Sequence, residues 1–386
     1  MVLSDRFRAR FLLPEGMIYL DGNSLGPLSL DAEAAVLRTL AEWREGAIHG
    51  WTEGTHPWLF LAERVGAGLA TLVGAEPASV IATGSITVNL HQLVATLYSG
   101  TGNLLCEQGA FPSDRYALQS HGPVALVEPE EDAIESALAT GEVALAVLPS
   151  VLYTSGRLLD MPRLTASART HGVTLLWDLA HSIGIVPHQL DTWGCDGAFW
   201  CNYKWLSGGP GAVGGIYLNP RHHEKRPGLA GWFGSRKDML FANTPEQIPA
   251  DGAARLQIGT THVLSLAPVE AAVALVNEAG IENLRRESLA LTTVLAAEAQ
   301  RAGFTVVTPH ADHQRGGHIA LRHPEAAALC RALRQVSVVP DHRPPDLIRF
   351  APNPLFNTVE ECQEAIRLLV ELADTPALAS EGELVP

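Results

Sequence analysis

The chain has 386 residues, enough for one large domain with a sizeable core and a smaller second one. Apolar residues make up 47% and charged residues 18%, which excludes a disordered chain, and a formal net charge of −15 argues against nucleic acid and anionic membrane as partners. No apolar run is long enough to cross a bilayer, and Arg6, Arg8 and Arg10 spoil the start as a secretory signal, so a cytoplasmic location is expected.

Strand-like apolar runs alternate with helical patterns through the middle of the chain. Residues 79–83 read as a short strand and 87–97 as a helix, with Gly84 and Ser85 at its start. Residues 103–106, 143–148, 173–177 and 197–200 read as further strands, with helices over 131–139 and 161–170 among them. This alternation predicts parallel βαβ units and a mostly parallel sheet, in which ligands sit beyond the carboxyl ends of the strands. After residue 262 the pattern changes. Long helices are expected over 262–277 and 281–302; then short strands at 305–307, 318–321 and 348–350 alternate with helices at 324–335 and 358–373. The expected division is an N-terminal segment, 1–45, that joins the smaller domain; a large domain, 46–284; and a small α/β domain, 285–386, whose residues 375–386 look like a loose tail.

Cys106, Cys195, Cys201, Cys330 and Cys362 are scattered without CxxC spacing, so they indicate neither a disulfide framework nor a zinc site and read as packing residues. Lysine is rarer still: of 27 basic residues, only Lys204, Lys225 and Lys237 are lysines. A Schiff base needs a primary amine that can lose its proton, which arginine cannot supply. Lys204 follows the 197–200 strand and precedes Gly208, Gly209 and Gly211, among Trp200, Tyr203, Trp205 and Leu206. Glycines let a backbone approach a flat ligand, and apolar surroundings disfavour the charged ammonium. Asp178 ends an apolar strand, and the stretch from there to Lys204 leaves room for one more strand, so both side chains can reach one pocket. A carboxylate so placed can hold a proton on a pyridine nitrogen. The strand-to-helix turn Thr83-Gly84-Ser85-Ile86-Thr87 suits a phosphate, since a helix start exposes unpaired N–H groups. Phe111, just ahead of Asp114, can stack on an aromatic ring. Taken singly, Asp178 reads as readily as a helix cap and Phe111 as core.

As an ordered set these segments resemble the aminotransferase-type fold of pyridoxal 5′-phosphate (PLP) enzymes, in the branch shared by cysteine desulfurases and kynureninases, and the kynureninase family most of all. The resemblance spans residues 18–370. It is carried by Leu20-Asp21-Gly22-Asn23-Ser24-Leu25-Gly26-Pro27, Thr87-Val88-Asn89-Leu90-His91, Phe111-Pro112-Ser113-Asp114, Trp177-Asp178-Leu179-Ala180-His181-Ser182, Tyr203-Lys204, Gly231-Trp232-Phe233-Gly234 and Arg349-Phe350-Ala351-Pro352-Asn353-Pro354. It implies an α/β, PLP-dependent transferase-like fold: a large domain with a mostly parallel seven-stranded sheet flanked by helices, plus a smaller α/β domain. It implies a Schiff base between PLP and Lys204, Asp178 on the pyridine nitrogen, Phe111 over the ring and Asp114 near it. Ile86, Thr87, His181 and Tyr203 would surround the phosphate. Trp232 and Thr260 would reach it from the other subunit of a homodimer with shared active sites. Arg349 would clamp the substrate carboxylate, Asn23 would lie in the substrate site, and Trp51 would flank the aryl ring. Two positions near that ring depart from the family pattern: Ser235 stands after the Gly-Trp-Phe-Gly turn where histidine is common, and His262 closes Gln257-Ile258-Gly259-Thr260-Thr261-His262.

The activity so implied is hydrolysis of the Cβ–Cγ bond of L-kynurenine, 3-hydroxykynurenine or both. The products are anthranilate or 3-hydroxyanthranilate and L-alanine, within tryptophan catabolism by the kynurenine pathway, which can feed NAD biosynthesis. Lys204 would carry the Cα proton. Tyr203 would be an acid/base whose pKa an adjoining cation would lower. One rival is a cysteine desulfurase or lyase, which needs a cysteine on a mobile loop, whereas Cys330 and Cys362 fall in helical patterns. The other is a catalytically silent PLP-binding protein.

Overall fold

Seven short runs rich in Val, Leu, Ile and aromatic residues form the central sheet of the computed structural model, which describes residues 2–374; the tail expected at 375–386 lies outside the described residues. In chain order the strands are β1 (Val80–Ala82), β2 (Asn103–Glu107), β3 (Val124–Val127), β4 (Val143–Pro149), β5 (Thr174–Asp178), β6 (Gly197–Trp200) and β7 (Gly215–Leu218). Their spatial order is β1-β7-β6-β5-β4-β2-β3. All neighbours are parallel except β7, which runs antiparallel to β6 and β1. The residues of β6 are fully buried and those of β5 nearly so, which is why they read as continuous apolar runs rather than alternating ones.

The sequence reading does not foresee β3 or β7. β3 is an edge strand with most of its residues partly exposed, so it lacks the buried apolar signature. β7 follows the glycine-rich stretch after Lys204 and reads as part of that loop. The antiparallel return places Lys204. It needs no crossover helix, so residues 201–214 make a direct turn that carries Lys204 between β6 and β7.

A second, antiparallel sheet is built from β8 (Thr305–Val306), β9 (Ile319–Arg322), β10 (Asp341–Arg343) and β11 (Leu347–Phe350), in the order β10-β11-β9-β8. The helix Val359–Ala373 lies against it, and a capping box from Thr358 and Glu361 fixes its start. Two apolar clusters result, one around the large sheet and one around Ile319, Leu321, Ile348 and Phe350. The stretch 1–45, expected to join the smaller unit, divides between them. Leu3, Phe7 and Phe11 bury in the larger cluster, where Phe11 meets Phe356 at 5.0 Å between ring centroids. Ile18–Tyr19 pairs in parallel with Val338–Val339, and Leu20 enters the smaller cluster. No single helix among the described residues is long and apolar enough to cross a membrane.

Candidate active site

Lys204 is held by the turn around it. Asn202 accepts from Trp200 Nε1 at 3.0 Å and donates to the Val213 carbonyl at 2.6 Å, tying the two ends of the loop. Trp205 Nε1 donates to the His181 carbonyl at 3.1 Å. The N-terminal segment crosses above: Gly26 N–H donates to the Tyr203 carbonyl at 2.8 Å. A Cβ at Gly26 would fall 2.5 Å from the Lys204 carbonyl oxygen and 2.1 Å from Ser207 Oγ, so only glycine fits there.

The Lys204 Nζ lies 3.0 Å from His181 Nε2. Burial, then the Lys204 ammonium and Arg349, hold the His181 imidazole well below its ordinary pKa, so the ring is neutral. Its Nδ1 is buried without a partner. Asp178, at the end of β5, accepts from the Ala180 N–H at 2.8 Å. Asp114, in the first turn of the helix Pro112–Gln119, faces it. Burial raises both carboxyls; the charge of Asp178 adds to the rise at Asp114, which goes well above the usual carboxylate range, while Lys204, the Ala180 N–H and the Asp114 hydrogen bond oppose the rise at Asp178. Asp114 is therefore the stronger holder of a proton, and Asp178, beside Lys204, is the carboxyl whose charge is better supported. Behind it, Ser150 donates to the Asp178 carbonyl at 3.1 Å and meets Ser182 at 2.7 Å, and Ser182 meets His188 Nε2 at 2.9 Å.

The condition for a lowered Tyr203 pKa, an adjoining cation, is not what dominates here. Burial first, then the Cys201 thiol, raise its phenol above the ordinary value rather than lowering it, so it holds its proton at neutral pH. Ile86 and Thr87 open the helix Ile86–Leu97, and Ser85 caps it by accepting from Val88 N–H at 3.4 Å. The first-turn N–H groups of Ile86 and Thr87 have no acceptor within the helix. Phe111 is neither core nor buried: it is exposed, and its ring meets Tyr153 edge-on at 5.5 Å, with His181 beyond at 6.3 Å from Tyr153.

Arg349 comes from the other sheet. The register of β11 places it opposite Ala320 on one side and Asp341 on the other. It is fully buried, paired through Nε and Nη2 with Asp341, and donates from Nη1 to the Tyr153 carbonyl at 2.6 Å. Ser24 Oγ lies 3.5 Å from Nη2. Asn23 is fully buried with both amide atoms unpartnered. Asp341, His318 and Tyr153 were missed from sequence. Asp341 precedes a Pro-Pro turn and carries no motif, and His318 reads only as the first residue of a strand.

Three of the predicted residues stand in a separate group. Trp51 packs edge-on against Trp58 at 5.8 Å and lies 6.2 Å from Phe233. Trp232 packs on Phe233 and Phe241 and donates to the Leu240 carbonyl at 2.7 Å. Thr260 is exposed on the loop before the helix Val263–Ala279. Of the two departures, Ser235 bridges to Pro249, while His262 shares with Trp51, Trp43 and Ile48 the lining of an apolar cavity of about 600 Å³.

Solved structures share this architecture. A C-DES mutant with glycine covalently linked to its PLP cofactor aligns with a TM-score of 0.84 at 18% identity, covering 94% of this chain and 99% of that one. The apo cysteine desulfurase from Thermococcus onnurineus NA1 aligns with a TM-score of 0.81 at 16% identity, over 96% and 98% of the two chains. Fold and site together thus define an α/β protein of the aminotransferase-type, PLP-dependent fold, with a lysine on the turn between two interior strands of its sheet. Residues 284–369 match the family described as kynureninase C-terminal domain. The kynureninases of Bacillus anthracis and Geobacillus thermodenitrificans are 46% and 45% identical to this chain, each over 95% of it and 90% of the relative. The chain belongs to the kynureninase family.

Proposed function

We propose that the chain hydrolyses the Cβ–Cγ bond of L-kynurenine, its 3-hydroxy derivative or both, with pyridoxal 5′-phosphate held on Lys204. The observation that carries this reading is the Lys204–His181–Asp178 cluster, faced by the buried Arg349, in a chain of this family. The residues fit the cofactor: an amine beside a neutral imidazole, a buried carboxyl whose charge Lys204 and the Ala180 N–H support, open N–H groups on Ile86 and Thr87, and a His181 Nδ1 with no partner. When bound, the cofactor supplies an electron sink for the bond-breaking steps.

The protein supplies the rest. Asp178 holds the proton on the pyridine nitrogen, and Asp114 shares its own proton with Asp178. Ile86, Thr87, His181 and Tyr203 would hold the phosphate, and Phe111, at the mouth of the site, would cover the ring. Lys204 takes the Cα proton and returns it. Tyr203, protonated at neutral pH, acts as a donor rather than a base. Arg349 binds the α-carboxylate, with Asn23 beside it.

The separate Trp51, Trp232 and Thr260 group supports a homodimer in which each subunit completes its partner's site. Leu37, Trp43, Ile48 and Leu264 leave an exposed apolar face near Trp51 that a second copy would cover. We place the domain division at 46–284 and 285–386, with the N-terminal segment shared between them, and the protein in the cytoplasm, where five free cysteines stay reduced. All five are buried, which disfavours a desulfurase that must expose a thiol. The deciding assay is kcat/KM for kynurenine and 3-hydroxykynurenine side by side, read by the fluorescence of the anthranilate product. Turnover of either with alanine release supports the reading; turnover of neither, with sulfide released from cysteine, overturns it. Ser235 and His262 near the ring pocket are the residues to exchange for changing the ratio.

A further inference from the structure

His318 has no task in the scheme above, yet it stands inside the site. It sits one residue ahead of β9, beyond the Ile319–Phe350 pair, and is fully buried. Its ring centroid is 5.8 Å from that of His181, the residue that meets Lys204. The Tyr153 carbonyl that takes Arg349 Nη1 also faces His318. Neither ring nitrogen of His318 completes a well-aligned hydrogen bond; the nearest acceptor, the Tyr153 carbonyl, acts on the ring but is already taken by Arg349. Burial and then the charge of Arg349 hold the imidazole neutral, with one donor and one acceptor. A buried ring with one poorly aligned contact to a shared carbonyl and no other polar partner costs free energy that a packing residue would not, so it awaits a ligand.

The chemistry of the corner says which ligand. Arg349 has already committed Nε and Nη2 to Asp341 and one Nη1 hydrogen to Tyr153, so little of its planar fork is open. A carboxylate has two oxygens to satisfy and needs a second donor. Lys204, Arg343 and Arg349 all act on His318 with the same positive sign, so the corner favours an anion. We propose that His318 is a substrate-contacting residue whose ring N–H donates to the α-carboxylate of the amino-acid substrate, completing the seat that Arg349 begins. This rests on the reading of the site as an amino-acid site on a Lys204-bound cofactor.

The test compares L-alanine with alaninamide, which lacks the carboxylate, each titrated into the PLP-loaded enzyme by the change in cofactor absorbance. In His318→Phe the Kd for alanine should rise about 10- to 100-fold, the range for a lost bond to a charged group, while alaninamide shifts less than about threefold. His318→Gln, which restores a donor, should recover most of the loss. If alanine and alaninamide weaken alike, or alanine does not weaken, the proposal is overturned. Should the phenylalanine variant not fold, His318→Ala carries the same comparison. Failure of the wild type to release anthranilate would sink the functional reading alone, since alanine binding is read without turnover.

Discussion

The two corners of the site are built in opposite ways. The lysine corner draws on three strand–loop units of one sheet: residues 111–114, 177–182 and 202–208 each bring a short motif to the carboxyl edge. The arginine corner is assembled from across the chain. Arg349 meets Ser24, 325 residues away in sequence, and Tyr153, from the large sheet, while Asp341 reaches it only through strand register. Their electrostatics differ as well. At the lysine, two buried carboxyls face each other beside a cation, and Asp114 holds its proton the more firmly. At the arginine, a cation that must never react is balanced in place by Asp341. Reactive groups can be displayed on local turns, but a permanent buried charge needs a partner fixed by tertiary structure.

Lys204→Ala gives the largest expected effect. The visible absorbance of the bound cofactor should vanish and turnover should fall by roughly 10⁴-fold or more. A variant that keeps a tenth of the wild-type rate would break the division of labour, since chemistry would then lie elsewhere. Arg349 comes next. Arg349→Ala should weaken kynurenine binding by roughly 2–5 kcal/mol, and it should also cost stability, by less than the roughly 3–5 kcal/mol of a fully unpaired buried charge, because Asp341 is left buried with only the partly exposed Arg343 as its ion-pair partner. Adding Asp341→Leu to Arg349→Met separates the two losses. Stability measured by urea unfolding should recover, and substrate affinity should not. If the double variant binds kynurenine like the wild type, the arginine corner is a structural ion pair and nothing more.

The same contrast explains what could be read in advance. Lys204, Asp178, Asp114 and His181 lie in contiguous segments whose residue types state their chemistry, and the structure brings all four together. Arg349 was legible from its own segment, but its partner was not. Asp341 lies in a stretch with no strand signal, ahead of Pro344 and Pro345, and pairs with Arg349 only once β10 folds back on β11. His318 stayed hidden for a related reason: nothing in Gly316-Gly317-His318-Ile319 shows that its ring turns toward His181 rather than into the core. β7 was lost to the glycine-rich loop before it, and with it the antiparallel return that presents the lysine.

The smallest expected effect sharpens the comparison from behind the lysine corner. His188 is buried, bonds Ser182 through Nε2, and leaves Nδ1 unpartnered; burial and Arg285 push its pKa down to about 3. An unfolded histidine titrates near 6.5. Above that pH both states are neutral and His188 has no effect on the pH dependence. Between about 6.5 and 3 only the unfolded state binds the proton, so stability falls with falling pH, by up to about 1.4 kcal/mol per pH unit for this one group. His181 and His318 act in the same direction. Asp21, raised to about 6 by burial and Asp341, acts in the opposite one, because there the folded state binds the extra proton. The useful quantity is therefore the difference between variants rather than the slope itself. From pH 6.5 to 5, His188→Gln should lose stability less steeply than the wild type by about one proton's worth, read from urea midpoints at each pH. Parallel slopes would mean that His188 takes up a proton without unfolding. The serine chain behind Asp178 would then be open to solvent, unlike the closed ion pair at Arg349.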